Sequence, residues 1–131
     1  MAEKKAKLIF KGYRIGESKI LLDVNATDIK GEMDITLRNE TKKLGNDNYE
    51  IALSTSVTNT SKSMDIFVKM TARFEVEPTL DEDVKQSLIR VNAPAILFPY
   101  IRAYISSLTG LSGLAPIIIP PINMAAGQDN N

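Results

Sequence analysis

The sequence predicts an α+β fold, a four-stranded antiparallel sheet with two helices packed on one face. Apolar and polar side chains alternate from the N-terminal region to Val76, as in strands that bury one face. Helical spacing of the apolar residues replaces this alternation after Pro78. The length of 131 residues, with 44% hydrophobic and 24% charged side chains, favours a single core.

The two central strands have the most regular pattern. In residues 63–76 every second side chain from Met64 onwards is apolar, which predicts a long strand with one buried face. Residues 49–57 alternate in the same way. The polar residues 59–62 supply a turn between them, so the two segments are predicted to form an antiparallel hairpin.

Two further strands precede this hairpin. One begins near Met33 and is predicted to reach the next strand through a polar connection at residues 41–48. The first strand covers residues 7–15 and can continue to Leu22, with a break at Gly16. The predicted sheet therefore has one apolar and one wet face.

A short helix is predicted after Pro78. Thr79 or Asp81 is suited to cap it, and the acidic residues 81–83 favour the positive end of a helix dipole over a catalytic carboxylate pair. Its apolar face consists of Val84, Leu88 and Val91.

A second helix is predicted from Pro94 to Gly110, where glycine can adopt a left-handed cap. Pro99 is expected either to kink this helix or to mark the start of its regular part. Its core-facing residues are Leu97, Ile101, Ile105 and Leu108. We predict one domain over residues 1–125 and a disordered polar tail over 126–131.

Composition disfavours several functional classes. The chain has no His and no Cys, which removes the commonest catalytic bases, nucleophiles and metal ligands, so we predict no enzyme, no metal site and no cofactor. Lys plus Arg and Asp plus Glu number 16 each, which gives no field to attract nucleic acid. The apolar stretch 116–122 is too short to insert into a membrane. Residues 8–10 are too few for a signal peptide, so a cytoplasmic location is expected.

More apolar residues are present than one face of a small sheet can cover. An ordinary core, an oligomer interface or a groove for another polypeptide could bury them. The candidates for such a groove are Leu21, Leu22, Val24, Ile29, Leu111, Leu114 and Ile117.

Residues 93–102, Ala-Pro-Ala-Ile-Leu-Phe-Pro-Tyr-Ile-Arg, resemble the signature of the SecB export chaperones. The following Ile-Ser-Ser-Leu-Thr at 105–109, Pro-Ile-Asn at 121–123 and Tyr-Glu-Ile-Ala-Leu at 49–53 are similar to other segments of that family. The order and spacing are kept across most of the chain. The motif at 97–100 is the most specific part.

This resemblance implies a function and an assembly. SecB-like proteins bind unfolded polypeptides or preproteins without ATP in long apolar grooves, as homo-oligomers that are dimers or dimer-of-dimers tetramers, and they deliver them to the SecA motor. Glu17 and Asp23 are the candidates for contact with SecA. The chain ends soon after Asn123, so we expect it to lack the family's C-terminal helix and to have a more open groove.

An alternative within the same fold is an interaction module dedicated to one partner protein, for example a toxin–antitoxin component. A broad range of clients would distinguish the general chaperone from this module.

Overall fold

Four long strands follow one another and pair into a single antiparallel sheet in the spatial order β1-β4-β3-β2. Their bounds are β1 (Leu8–Leu22), β2 (Met33–Gly45), β3 (Asn48–Asn59) and β4 (Met64–Val76). The computed structural model describes residues 7–26 and 32–120. The predicted α+β class and four-stranded antiparallel sheet are confirmed. The predicted domain end at residue 125 and the tail 126–131 lie outside the described residues.

The core lies on one face of the two central strands. Alternate residues of β3 and β4 are buried, while those between them lie on the outer face. Among the fully buried side chains are Ile51, Leu53, Met70 and Phe74. The regular alternation in the sequence therefore determines which face of each central strand is buried.

β1 is an irregular edge strand. Its register with β4 shifts between Phe10 and Tyr13 and again between Ile15 and Glu17, so the predicted break at Gly16 is confirmed. Gly12 has a φ of 106°, a conformation that glycine adopts without steric cost. Bulges of this kind bend an edge strand and change which side chains face the core.

The connection between β2 and β3 is shorter than predicted. β2 continues to Gly45, and only Asn46 and Asp47 separate it from β3, with φ values of 53° and 58°. Asn and Asp tolerate this left-handed conformation, and such a two-residue turn matches the twist of the strands it joins. The predicted polar connection at 41–48 is therefore wrong.

The prediction of two helices is also wrong, because one helical segment covers residues 82–111. It consists of α1 (Glu82–Ser87), a π-helical segment (Leu88–Asn92) and α2 (Ala93–Leu111). Pro94 lacks an N–H and its ring would crowd the carbonyl four residues earlier in a regular helix. The wider π turn just before it accommodates the ring without breaking the helix. Pro99 lies inside α2 and does not begin it.

α2 packs across β1, β4 and β3 and buries Leu97, Ile101 and Ile105 completely. Its predicted cap at Gly110 is wrong, because the left-handed residue is Gly113, with a φ of 96°. The Leu114 N–H donates to the carbonyl of Thr109 at 3.1 Å. The Gly113 N–H donates to the carbonyl of Gly110 at 3.3 Å, and these two hydrogen bonds form a Schellman cap.

Candidate polypeptide-binding surface

Apolar side chains collect at one end of the sheet, which we call the crossover end. Here β1 ends and β2 begins, since Leu22 pairs with Met64 and Met33 pairs with Asn59. The helical segment starts at the other end, beside the β2–β3 turn, and finishes at the crossover end. The end of β1, the start of β2 and the cap of α2 therefore share one region.

The crossover end exposes apolar surface. Val24 is 88% exposed and Leu111 is 90% exposed. Around them, half-buried apolar side chains pack against the core; these are Leu22, Met33, Ile35, Leu108 and Leu114. Such a surface can bind apolar side chains of another chain, and its affinity would depend little on their order.

The structure brings four of the predicted groove residues to this end, namely Leu22, Val24, Leu111 and Leu114. Leu21 pairs with Asp65, so it lies on the opposite face of the sheet from Leu22. Ile117 is only 7% exposed and belongs to the core cluster. Ile29 lies outside the described residues. Polypeptide binding by these residues stays a prediction.

Hydrogen bonds fix the backbone of the crossover end. The Asp23 N–H donates to the carbonyl of Ser63 at 2.8 Å, which joins the end of β1 to the β3–β4 turn. The Asp23 carboxylate accepts the Asn25 N–H at 3.0 Å. Val24 thus lies in a turn whose neighbouring residues, Asp23 and Asn25, are both hydrogen-bonded. Within the β3–β4 turn, Asn59 Nδ2 donates to Ser63 Oγ at 2.7 Å.

The outer face of the sheet mixes charges of both signs. Glu17, a candidate SecA contact, pairs in register with Lys69. The ion pairs on this face include Lys11–Glu75 at 3.3 Å, Lys19–Asp65 at 3.5 Å and Arg73–Glu50 at 3.9 Å. The roles of Glu17 and Asp23 toward SecA remain predictions.

A group of aromatic rings beside β1 was missed by sequence reasoning. The Phe10 ring centroid lies 5.2 Å from that of Phe74 and 5.8 Å from that of Tyr100, and the Tyr13 and Tyr100 centroids are 5.0 Å apart. Tyr13 joins this group because the bulge at residues 11 and 12 turns it to the helix side. Alternation counted from Phe10 would place Tyr13 on the opposite face. Tyr13 and Tyr100 are partly exposed.

An extended segment follows the cap of α2 and lies along the helix. We call residues 115–120 the strap. Ile117 and Ile119 are buried, whereas Ile118 between them is 73% exposed. The strap backbone is bound by helix side chains, since Arg102 Nε donates to the Ile119 carbonyl at 2.6 Å and Ser106 Oγ donates to the Ile117 carbonyl at 2.7 Å.

Neither a cluster of metal-ligating side chains nor a membrane-spanning helix is found in the part of the chain that the structure describes. Over residues 7–26 and 32–120, no three acidic side chains are grouped as metal ligands would be. No helix in these same ranges is both long enough and apolar enough to cross a bilayer.

Comparison with known proteins gives the family. The model of preprotein translocase subunit SecB matches residues 18–127. A protein-export protein SecB of Orientia tsutsugamushi is 35% identical over 100 residues, which cover 73% of this chain and 62% of that protein. An uncharacterised protein of Methanocaldococcus jannaschii is 29% identical over 136 residues, covering 98% of this chain and 87% of its own length. The chain thus spans less than two thirds of the Orientia SecB.

A solved structure has the same fold. It is a SecB-like chaperone of Mycobacterium tuberculosis in complex with a ChAD peptide from an antitoxin, with a TM-score of 0.73 and 16% sequence identity. The match covers 88% of this chain and 90% of that one. At this identity the likeness concerns the fold alone. On the sequence match over residues 18–127, this chain belongs to the SecB family.

Proposed function

We propose that this protein is an ATP-independent holdase that binds unfolded polypeptides or preproteins at the crossover end. The observation that carries the proposal is the SecB family match over residues 18–127, which includes the whole apolar end. Burial of apolar surface stabilises a complex by about 25 cal/mol per Å², so binding needs neither nucleotide nor a defined sequence. A chaperone that binds only the unfolded state keeps its client unfolded by mass action.

The geometry supports an extended client. Val24 and Leu111 offer exposed contacts, and half-buried apolar residues that pack against the core offer further apolar surface. β2 is an edge strand, so its outer backbone groups are available to an added strand. An extended client could therefore combine backbone hydrogen bonds with apolar contacts.

The proposal includes an assembly and a setting. We infer a homo-oligomer, a dimer or a dimer-of-dimers tetramer, because Tyr13 and Tyr100 remain partly exposed along β1. We infer action in protein export in the cytoplasm, with SecA as a candidate partner through Glu17 and Asp23. The proposal assigns no catalytic step and no cofactor to the chain.

A second candidate function is a module dedicated to one partner protein. The same fold in Mycobacterium tuberculosis was solved with a peptide from an antitoxin. The same apolar end could accept one such segment of a single partner. This alternative predicts tight binding of one sequence and weak binding of all others.

Aggregation assays separate the two candidates. Several unrelated unfolded proteins are diluted from denaturant without ATP, with and without the purified full chain. The holdase proposal predicts that light scattering falls for most of them at about equimolar chain. Suppression of none, or of a single protein only, would reject the general holdase, and the second result would favour the dedicated module.

A further inference from the structure

The strap lies against the fold in the way a bound extended peptide would. Its side chains alternate, with Ile117 and Ile119 pointing into the core and Ile118 pointing out. Pro116 and Pro120 flank the three isoleucines and lack N–H groups, which keeps the segment extended and prevents it from adding to the sheet as a regular strand.

The hydrogen bonds of the strap are made through its main chain. The Ile119 and Ile117 carbonyls accept bonds from Arg102 Nε and Ser106 Oγ, and the Ile117 N–H donates to Thr109 Oγ1 at 2.9 Å. Helix side chains that bind main-chain atoms do not read sequence. Any extended chain with apolar side chains at every second position presents the same groups in the same places.

The position of the strap places it over the β3–β2 half of the sheet. Tyr104 OH donates to Ser18 Oγ of β1 at 2.8 Å, so this flank of α2 faces β1. Ser106 is two positions further, about 200° around the helix, so the strap runs along the opposite flank. On that half, the buried Asn39 Oδ1 and Thr55 Oγ1 have no hydrogen-bond partner within the described ranges.

We propose that the strap occupies part of the client-binding groove, and that an extended client segment with apolar residues at every second position displaces it. This inference rests on the proposed holdase function and specifies its site. The chain binds its own apolar segment when no client is present, which covers surface that would otherwise promote aggregation. The apparent affinity for a client is then lowered by the fraction of molecules with the strap in place.

Two neighbouring isoleucines provide a matched test. Ile119→Ala weakens the strap but leaves the helix groups that would bind a client, whereas Ile118→Ala removes an outward side chain of the same type. The probe is reduced, carboxymethylated lactalbumin, which cannot refold, and affinity is measured by titration with the full chain. We expect Ile119→Ala to bind at least about tenfold more tightly than the parent, and Ile118→Ala to bind equally.

Gly110→Ala provides a second variant that does not touch the core. A Cβ at this position would lie 3.2 Å from Pro116 Cγ, so the base of the strap must shift, while alanine favours the helix. We expect tighter binding of the same probe. Circular dichroism checks that each variant keeps the fold. Unchanged or weaker binding by both folded variants would overturn the proposal.

Amide hydrogen exchange tests the unmodified chain. The Ile117 N–H is hydrogen-bonded and buried, so it should be protected without client and lose protection when the probe saturates the chain. Probe binding with Ile117 still protected would overturn the strap proposal and leave the holdase function standing. Absence of probe binding by the parent and by all variants would reject the holdase function itself.

Discussion

Lys85 Nζ lies 2.9 Å from Asp47 Oδ1, and this ion pair joins α1 to the β2–β3 turn. Asp47 also accepts the Val76 N–H through its main-chain carbonyl at 2.9 Å, so it connects the turn to the end of β4. The hydrogen bond to Asp47 raises the pKa of Lys85 above its usual value of 10.5. The start of the helical segment is thereby fixed at the end of the sheet opposite the crossover end.

This pair makes stability depend on pH at the alkaline end. Because the pKa of Lys85 is raised in the folded state, the pair's contribution to the free energy of unfolding is complete below the usual value of 10.5. This contribution is lost as pH rises through the higher pKa of the folded state. We expect Lys85→Met to melt below the parent at pH 7, with a difference that narrows above pH 10.5. Differential scanning calorimetry across this range measures the difference.

Lys11→Met is the matched control for Lys85→Met. Lys11 lies 3.3 Å from Glu75, but both side chains are more exposed than those of Lys85 and Asp47. Exposed pairs contribute little to stability, so we expect almost no change in melting temperature. Equal melting of the parent and Lys85→Met at pH 7 would show that the pair does not hold the helix.

Leu97 tests whether the sequence motif serves the core. It is fully buried in α2 beneath the sheet. We expect Leu97→Ala to lower the free energy of unfolding by roughly 2–5 kcal/mol, measured by urea titration. Leu111→Ala, at a 90% exposed position of the same helix, should stay within about 0.5 kcal/mol of the parent. An unchanged unfolding midpoint for Leu97→Ala would show that the motif does not contribute to the core.

Sequence alone predicted the features that depend on a repeating pattern. The alternation in residues 49–57 and 63–76 gave the correct hairpin and its buried face, because burial of one face imposes a period of two. The spacing of Leu97, Ile101 and Ile105 gave the buried stripe of α2 for the same reason.

Local departures of the backbone from regular strand and helix geometry could not be predicted from the apolar periodicity. The bulge near Gly12 moves Tyr13 to the helix side, and the π-helical segment before Pro94 carries one helix through a residue that usually ends it. Both depend on tertiary packing and leave no periodic signal. Of the candidate groove residues, Val24 and Leu111 are exposed as expected, but the burial of Ile117 could not be predicted without the path of the strap.

The aromatic surface beside β1 predicts that the chain oligomerises. Tyr13 and Tyr100 pack against each other and remain partly exposed, and aromatic residues of this kind are enriched in interfaces. We expect analytical ultracentrifugation to give a dimer or tetramer at micromolar concentration. Tyr13→Lys should weaken this association more than Leu44→Lys, which changes a partly exposed residue of β2. A sharp monomer of the parent at high concentration would contradict the oligomer.

The client surface can be tested without disturbing the core. Leu22 and Leu114 are half-buried, and Leu114 belongs to the Schellman cap, so polar replacement of these two residues would change both stability and binding. Val24 and Leu111 are almost fully exposed at the same end. We expect the double variant Val24→Ser, Leu111→Ser to unfold like the parent and to bind an unfolded client about tenfold or more weakly, because both apolar contacts are lost.

A second double variant, Ile9→Ser with Leu44→Ser, is the matched control for this test. These residues are 42% and 40% exposed and lie at the opposite end of the sheet, so their replacement removes exposed apolar surface away from the crossover end. Client titration should give the parent affinity for the control, and raised salt should leave the parent's binding nearly unchanged if the contacts are apolar. Equal binding by the folded Val24, Leu111 variant and by the parent would place the client elsewhere on the chain. An equal loss of client affinity in both double variants would indicate diffuse apolar attraction. A groove at the crossover end predicts that affinity falls only in the variant of Val24 and Leu111.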